Sequence, residues 1–220
     1  MLWIGLLLVA AAVGITVRWF LNRTDSLGRR NSFPAISVVL LLVLGGAAFV
    51  PVVLRAKLEH RLSEVAGALV GSPVRVHCQS FGESFVDAHA ELGYVAFDAN
   101  GVPERSTLIK RNQCRDLSVY LRSDKTSPTD EQIVAVHTLT HESMHMSGIT
   151  NEAATECAAV QRDYDTASLL GATPAEARAL TITYWQRFYP NMSDDYRSSD
   201  CAPGGKMDEH LPHAPWTPAP

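Results

Sequence analysis

The sequence predicts an α+β domain carried behind two membrane-spanning helices. Three observations lead to this: two long apolar stretches at the N-terminus, a central run of short alternating segments, and capped helical segments after them. The 220 residues have a net charge of −4. No basic tract lies beyond the membrane flanks, so no nucleic-acid partner is expected. A Gly-rich phosphate loop and a GxSxG elbow are both missing.

Leu2 to Val17 is almost continuously apolar, and Trp19, Phe20 and Leu21 extend the stretch past Arg18. Ala35 to Leu54 is a second, uncharged stretch of twenty residues, long enough to cross a bilayer. The loop between them, residues 22–34, carries Arg23, Arg29 and Arg30. Positive charge tends to stay cytoplasmic, which places everything after Leu54 outside, although Arg55, Lys57 and Arg61 pull the other way. A cleaved signal peptide is the competing reading of the first stretch, but it lacks a basic start and a clear small-residue cleavage site. Residues 1–54 therefore read as a two-pass anchor in the cell membrane with the C-terminal part extracytoplasmic. Residues 55–190 read as one domain, and 191–220 as an irregular Pro/Gly-rich tail.

Within the domain, Arg55 to Val70 reads as a helix ended by Gly71-Ser72-Pro73. Residues 74–80, 92–97, 107–110 and 117–121 read as short strands, with Asp98-Ala99-Asn100-Gly101 turning between two of them. A helix follows from Ser127-Pro128-Thr129-Asp130, where a hydroxyl cap, a first-turn proline and acids at the positive helix end coincide. Thr129 and Gln132 fit a capping box. This helix runs to about Ser147, and Gly148 is the expected stop. Asn151 caps a second helix reaching about Leu170, with Gly171 as its stop. Thr173-Pro174-Ala175-Glu176 starts a third, which ends near Tyr189 before Pro190.

The first of these helices carries His141-Glu142-Ser143-Met144-His145, an instance of HExxH. Residues four apart share a helix face, so His141 and His145 can present two imidazoles to one metal ion. Glu142 stands beside them as the general base for a metal-bound water. With eight His and eleven Glu in the chain, chance would produce the pattern about one or two times in a hundred. Catalytic zinc usually takes three protein ligands and leaves one position open. Glu152 is the expected third ligand, with Glu156, one turn on, as the acceptor that orients a histidine N–H. The two glutamates could exchange roles, and Asp163 lies two turns further along the same face. The plainer reading is that these acids only complement a helix N-terminus.

HESMH followed by Asn151-Glu152-Ala153-Ala154-Thr155-Glu156 resembles the gluzincin pattern of the zincin metallopeptidases. There a glutamate on the next helix completes the site, and an acid four residues later supports it. The glutamate follows the second histidine sooner here than in thermolysin-like members. The string HESMHMSGITN also resembles the metzincin pattern, but Asn151 stands where the third histidine should be. The resemblance covers residues 127 to 171. It implies a minimal zincin-like domain and a zinc-dependent peptidase, membrane-tethered, acting on peptide or protein substrates. In such enzymes an edge strand near the site receives the substrate, and residues 117–121 are the candidate for that strand. The alternative is a non-catalytic membrane-tethered binding or structural module that keeps the fold. Glu142 favours catalysis, since a structural site needs no base.

His137 lies one turn before His141, but three ligands from one straight helix span too far for a single tetrahedral ion. A packed or hydrogen-bonded role is expected for it. His210 and His213 read as residues of a solvated tail, and His60, His77 and His89 carry no spacing signal. Tyr184, Tyr189 and Tyr196 are candidates for a transition-state donor by residue type alone, and each is expected instead to be a core or surface aromatic. Four cysteines, Cys78, Cys114, Cys157 and Cys201, all follow the second apolar stretch and form no CxxC pair. An even count outside the cytosol suggests two disulfides. Of the three possible connectivities, Cys78–Cys114 with Cys157–Cys201 is favoured, and four buried free thiols are the alternative.

Overall fold

The computed structural model describes residues 2–24, 27–83 and 91–217; His89 lies outside them. The chain divides into two compact units, Met1–Lys57 and Leu58–Pro220. Helix α1 spans Leu2–Leu21 and α2 spans Ala35–Val70. Both are long and apolar enough to cross a membrane. Their leucines and valines are mostly exposed, as lipid-facing side chains would be. In the first unit the connecting loop is pinned to the end of α1, where Trp19 Nε1 donates to the Asn31 carbonyl at 3.1 Å.

The second unit is α+β. Strands β1 (Arg75–Cys78), β2 (Gly93–Phe97) and β3 (Pro103–Ile109) form a sheet in the order β1-β3-β2. β1 runs parallel to β3, with Val76 opposite Thr107, and β2 runs antiparallel to it, with Gly93 opposite Ile109. The β2–β3 turn forms where expected. Asp98 Oδ1 accepts the N–H groups of Asn100 and Val102 at 2.8 and 2.9 Å. Among the described residues β2 pairs on one side only and is an edge strand.

Residues 117–121, expected as a strand, lie instead in helix α3 (Arg111–Arg122). The alternation of Leu117, Val119 and Leu121 is too short to separate strand from helix. The wider pattern of buried Gln113, Cys114, Asp116, Leu117 and Tyr120 has helical spacing. β3 also begins earlier than expected, because its first half faces outward and carries polar residues.

Helix α4 (Asp130–Met146) crosses the sheet against β2 and β3 and packs on α3. The Thr129–Gln132 capping box is present in both directions, at 3.4 and 2.9 Å. Gly148 ends the helix with φ +115°, a backbone region that disfavours a side chain. The expected second helix is broken into α5 (Glu152–Val160) and α6 (Asp163–Leu169). Neither Gly nor Pro marks the break. At the break Arg162 leaves helical geometry (φ −114°, ψ 0°), while the Gln161 side chain bonds the tail, its amide donating to the Met207 carbonyl at 2.9 Å and its oxygen accepting Glu209 N–H at 2.8 Å. Helix α7 (Pro174–Thr183) starts at the expected Thr173–Glu176 box and passes into a π-helical turn, Tyr184–Phe188.

Both favoured disulfides are present, Cys78–Cys114 and Cys157–Cys201. The second anchors the segment after residue 190, which has no long element but is not loose. Arg162 forms a two-point pair with Glu209 at 2.7 and 2.6 Å, Ala214 is fully buried, and Trp216 packs edge-on to Trp185. His213 stacks on Tyr164 rather than facing solvent alone.

Candidate metal centre

Every residue from Ala135 to Met146 is buried, so α4 is apolar or internally satisfied all round. That position follows from its place between the sheet, α3 and α5. Its polar side chains are buried with partners, which buried polar groups require. His141 and His145 project toward α5, whose cap Asn151 accepts Ala154 N–H at 2.9 Å and so sets Glu152 in the first turn.

Three donor atoms meet there. His141 Nε2 and His145 Nε2 are 3.1 Å apart, and Glu152 Oε2 is 3.2 Å from the first and 3.3 Å from the second. The far ring nitrogens are already engaged. His141 Nδ1 lies 2.9 Å from Glu156 Oε2, and His145 Nδ1 lies 2.8 Å from the Ile149 carbonyl. Both of those partners are acceptors, so both Nδ1 atoms carry a proton, and Nε2 of each ring is the nitrogen left to face a metal ion. Two imidazole nitrogens and a carboxylate oxygen within 3.3 Å of one another call for positive charge among them, as a proton or as a metal ion. The triangle also has the right size. Tetrahedral zinc with N and O ligands at about 2.05 Å separates them by about 3.3 Å.

The electrostatics agree with that geometry. Burial alone would lower His141, but bonds to Glu152 and Glu156 raise it to about 9. The same histidines pull Glu152 down to about 2. Positive charge is therefore favoured where the three atoms meet. Glu152 is the most exposed of the three and marks the open side.

Glu142 lies on the sheet side of the centre, close enough for the charges of His141 and His145 to act on it. It is buried, and burial pushes its carboxyl up to about 7 despite the pull of His141 and His145. Thr107 of β3 donates to its Oε2 at 3.4 Å. Gly93 of β2 gives it room, since a Cβ there would stand 3.0 Å from Glu142 Cγ and Oε1. Sequence reading missed Thr107 and Gly93, although a lone glycine opening a strand can signal such a close approach.

Behind His141 lies a second layer. His137 places Nε2 2.9 Å from Glu156 Oε2 and Nδ1 2.9 Å from Asp163 Oδ2, the hydrogen-bonded role expected of it. Burial would lower His137, but Asp163 and Glu156 outweigh it and raise it to about 10. Tyr184 donates to Glu156 Oε1 at 2.7 Å. Burial opposes ionisation of Glu156, yet His137 and His141 hold it well below the ordinary carboxylate range. Two overlapping groups could thus hold a metal ion: His141, His145 and Glu152, or the fully buried His137, His141 and Glu156.

Of the tyrosines, Tyr189 bonds the Ser198 backbone. Tyr196, on a 3-10 turn after the π-helical segment, brings its ring to 5.8 Å from that of His141. Burial and then Glu152 push its hydroxyl up to about 12. Neither His210 nor His213 belongs to a metal-sized cluster among the described residues. Comparison with known protein families, curated proteins and solved structures gives no match to this chain.

Proposed function

We propose that the second unit is a zincin-like, zinc-dependent metallopeptidase, held at the outer face of the cell membrane by the two apolar helices. The observation that carries this reading is the meeting of two imidazole nitrogens and a carboxylate oxygen at tetrahedral spacing, beside a buried carboxylate. His141, His145 and Glu152 would hold the ion, which when bound acidifies a water and polarises a carbonyl. Glu156 and the Ile149 carbonyl fix the two ring orientations. Glu142 accepts the proton of the attacking water and can pass it to the leaving amine, a base and acid role suited to a carboxyl raised by burial. Tyr196, its ring 5.8 Å from that of His141, would serve as a donor to the developing oxyanion.

The two disulfides support the outer face, since such bonds persist in oxidising compartments.

The deciding experiment is the metal content of the full chain in mild detergent. It would be measured beside Glu142→Ala and a His141→Ala/His145→Ala double variant. About one zinc per chain is expected in the first two and none in the third. Peptide cleavage should then be present in the wild type and absent in Glu142→Ala. A folded, oxidised wild type that takes up no metal would refute the enzyme reading and leave a tethered binding module.

A further inference from the structure

The group behind His141 has a shape that a hydrophobic core does not need. His137 is buried between two carboxylates, one from α5 and one from α6, at 2.9 Å each. Burying such a triad is expensive, and apolar residues of the same volume would pack at less cost. What it achieves is seen at Glu156. Oε2 accepts from His137 Nε2 and His141 Nδ1, both at 2.9 Å, while Oε1 accepts from Tyr184 at 2.7 Å. Three donors around one carboxylate leave it a single orientation.

The Tyr184 ring also stacks on His137, with centroids 3.6 Å apart and planes 12° from parallel. Tyr184 opens the π-helical turn, a local widening that often marks functional positions. His137 is thus held in plane by a carboxylate at each end and a ring on its face.

We infer that His137 is a positioning residue for the metal centre. By donating both N–H groups, to Asp163 and to Glu156, it locks the Glu156 carboxylate as an acceptor. His141 is thereby held in the tautomer whose Nε2 faces His145 and Glu152. The inference rests on the reading of His141, His145 and Glu152 as ligands. It assigns the second candidate group, His137 with His141 and Glu156, to hydrogen bonding and not to ligation. Both carboxylate partners of His137, Asp163 and Glu156, are themselves buried, whereas Glu152 at His141 is open to solvent, where an ion and its water can enter.

The test uses the full chain in detergent, labelled with 15N-histidine, metal-free and titrated with zinc. Wild type should bind zinc and, once loaded, show His141 protonated on Nδ1 alone. In His137→Gln the His141 signals should report mixed tautomers, and zinc affinity should fall about 10–100-fold. Asp163→Asn keeps the shape and removes a charge. It should shift both readouts in the same direction by less, and it carries the test if His137→Gln does not fold. Leu62→Ala, a cavity in the core of the same unit, should lower the melting temperature and leave tautomer and affinity unchanged. Wild-type tautomer and affinity in both His137→Gln and Asp163→Asn would overturn the inference alone. So would zinc binding that survives His145→Ala and vanishes in His137→Gln, since His137 would then be a ligand. No zinc in wild type would remove the ligand reading, and this inference with it.

Discussion

Glu142 and His137 are both ionisable and almost without exposed surface, yet their surroundings set them opposite tasks. Among the described residues Glu142 has a distant hydroxyl for a hydrogen-bond partner, Thr107 at 3.4 Å. Burial leaves it a weaker acid and a better base. Replacing it with Gln should keep zinc and lower peptide hydrolysis by about 10²–10⁴-fold, the usual share of a general base, as read by initial rates at saturating zinc. His137 is instead over-satisfied, with an acid at either end. Its folded value near 10 lies above the ordinary 6.5. A group raised on folding contributes stability that is complete below the unfolded value and is lost as pH rises through the folded one. The metal-free protein should therefore melt at progressively lower temperature as pH climbs from about 7 to about 10. His137→Gln should flatten that slope. An equal slope in the variant would show that another group is responsible.

At the scale of elements, the site depends on where α4 and α5 begin. The Thr129–Gln132 box starts the motif helix, and Thr129→Ala should cost about 1 kcal/mol. For a domain of this size that is about 2–4 °C in melting temperature. Zinc affinity should be unchanged, because the ligands lie in the last turns. These starts were legible in the sequence because caps are local: Thr129, Asn151 and Thr173 each bond a backbone N–H three residues on. The spacing of His141, His145, Glu152 and Glu156 was legible for the same reason, and the structure brings those four side chains together. What could not be read there depends on tertiary partners. Residues 117–121 are helical because α3 presents a wider buried face to α4. The break after Val160 coincides with the Gln161 side chain meeting the tail at Met207 and Glu209, a contact that no local signal announces. Gly93 matters through a residue 49 positions away in the sequence, and strand pairing decides that meeting. Gly93→Val should displace Glu142 and suppress hydrolysis while zinc stays bound, as metal analysis alongside rates would register.

Over the whole chain, two facts bear on where the domain works. The disulfides join segments 36 and 44 residues apart, and the second holds the tail that carries Tyr196 against the helix of Glu152. Removing Cys157–Cys201 should lower stability by about 2–4 kcal/mol. Such bonds would not be expected to persist in a reducing cytosol. The other fact concerns lysine. All four lysines, Lys57, Lys110, Lys125 and Lys206, follow Leu54, and residues 1–54 contain none. Amine labelling therefore reports side-chain accessibility of the soluble part without interference from the membrane loop, whose positive charges are all arginine. If both apolar helices span and the arginine loop is cytoplasmic, a membrane-impermeant amine reagent applied to intact cells should label the chain, with exposed Lys206 as a principal site. Labelling that appears only after permeabilisation would place the domain inside. The disulfides would then have to form against the redox poise of that compartment, and the case for an extracytoplasmic peptidase would fall with the topology.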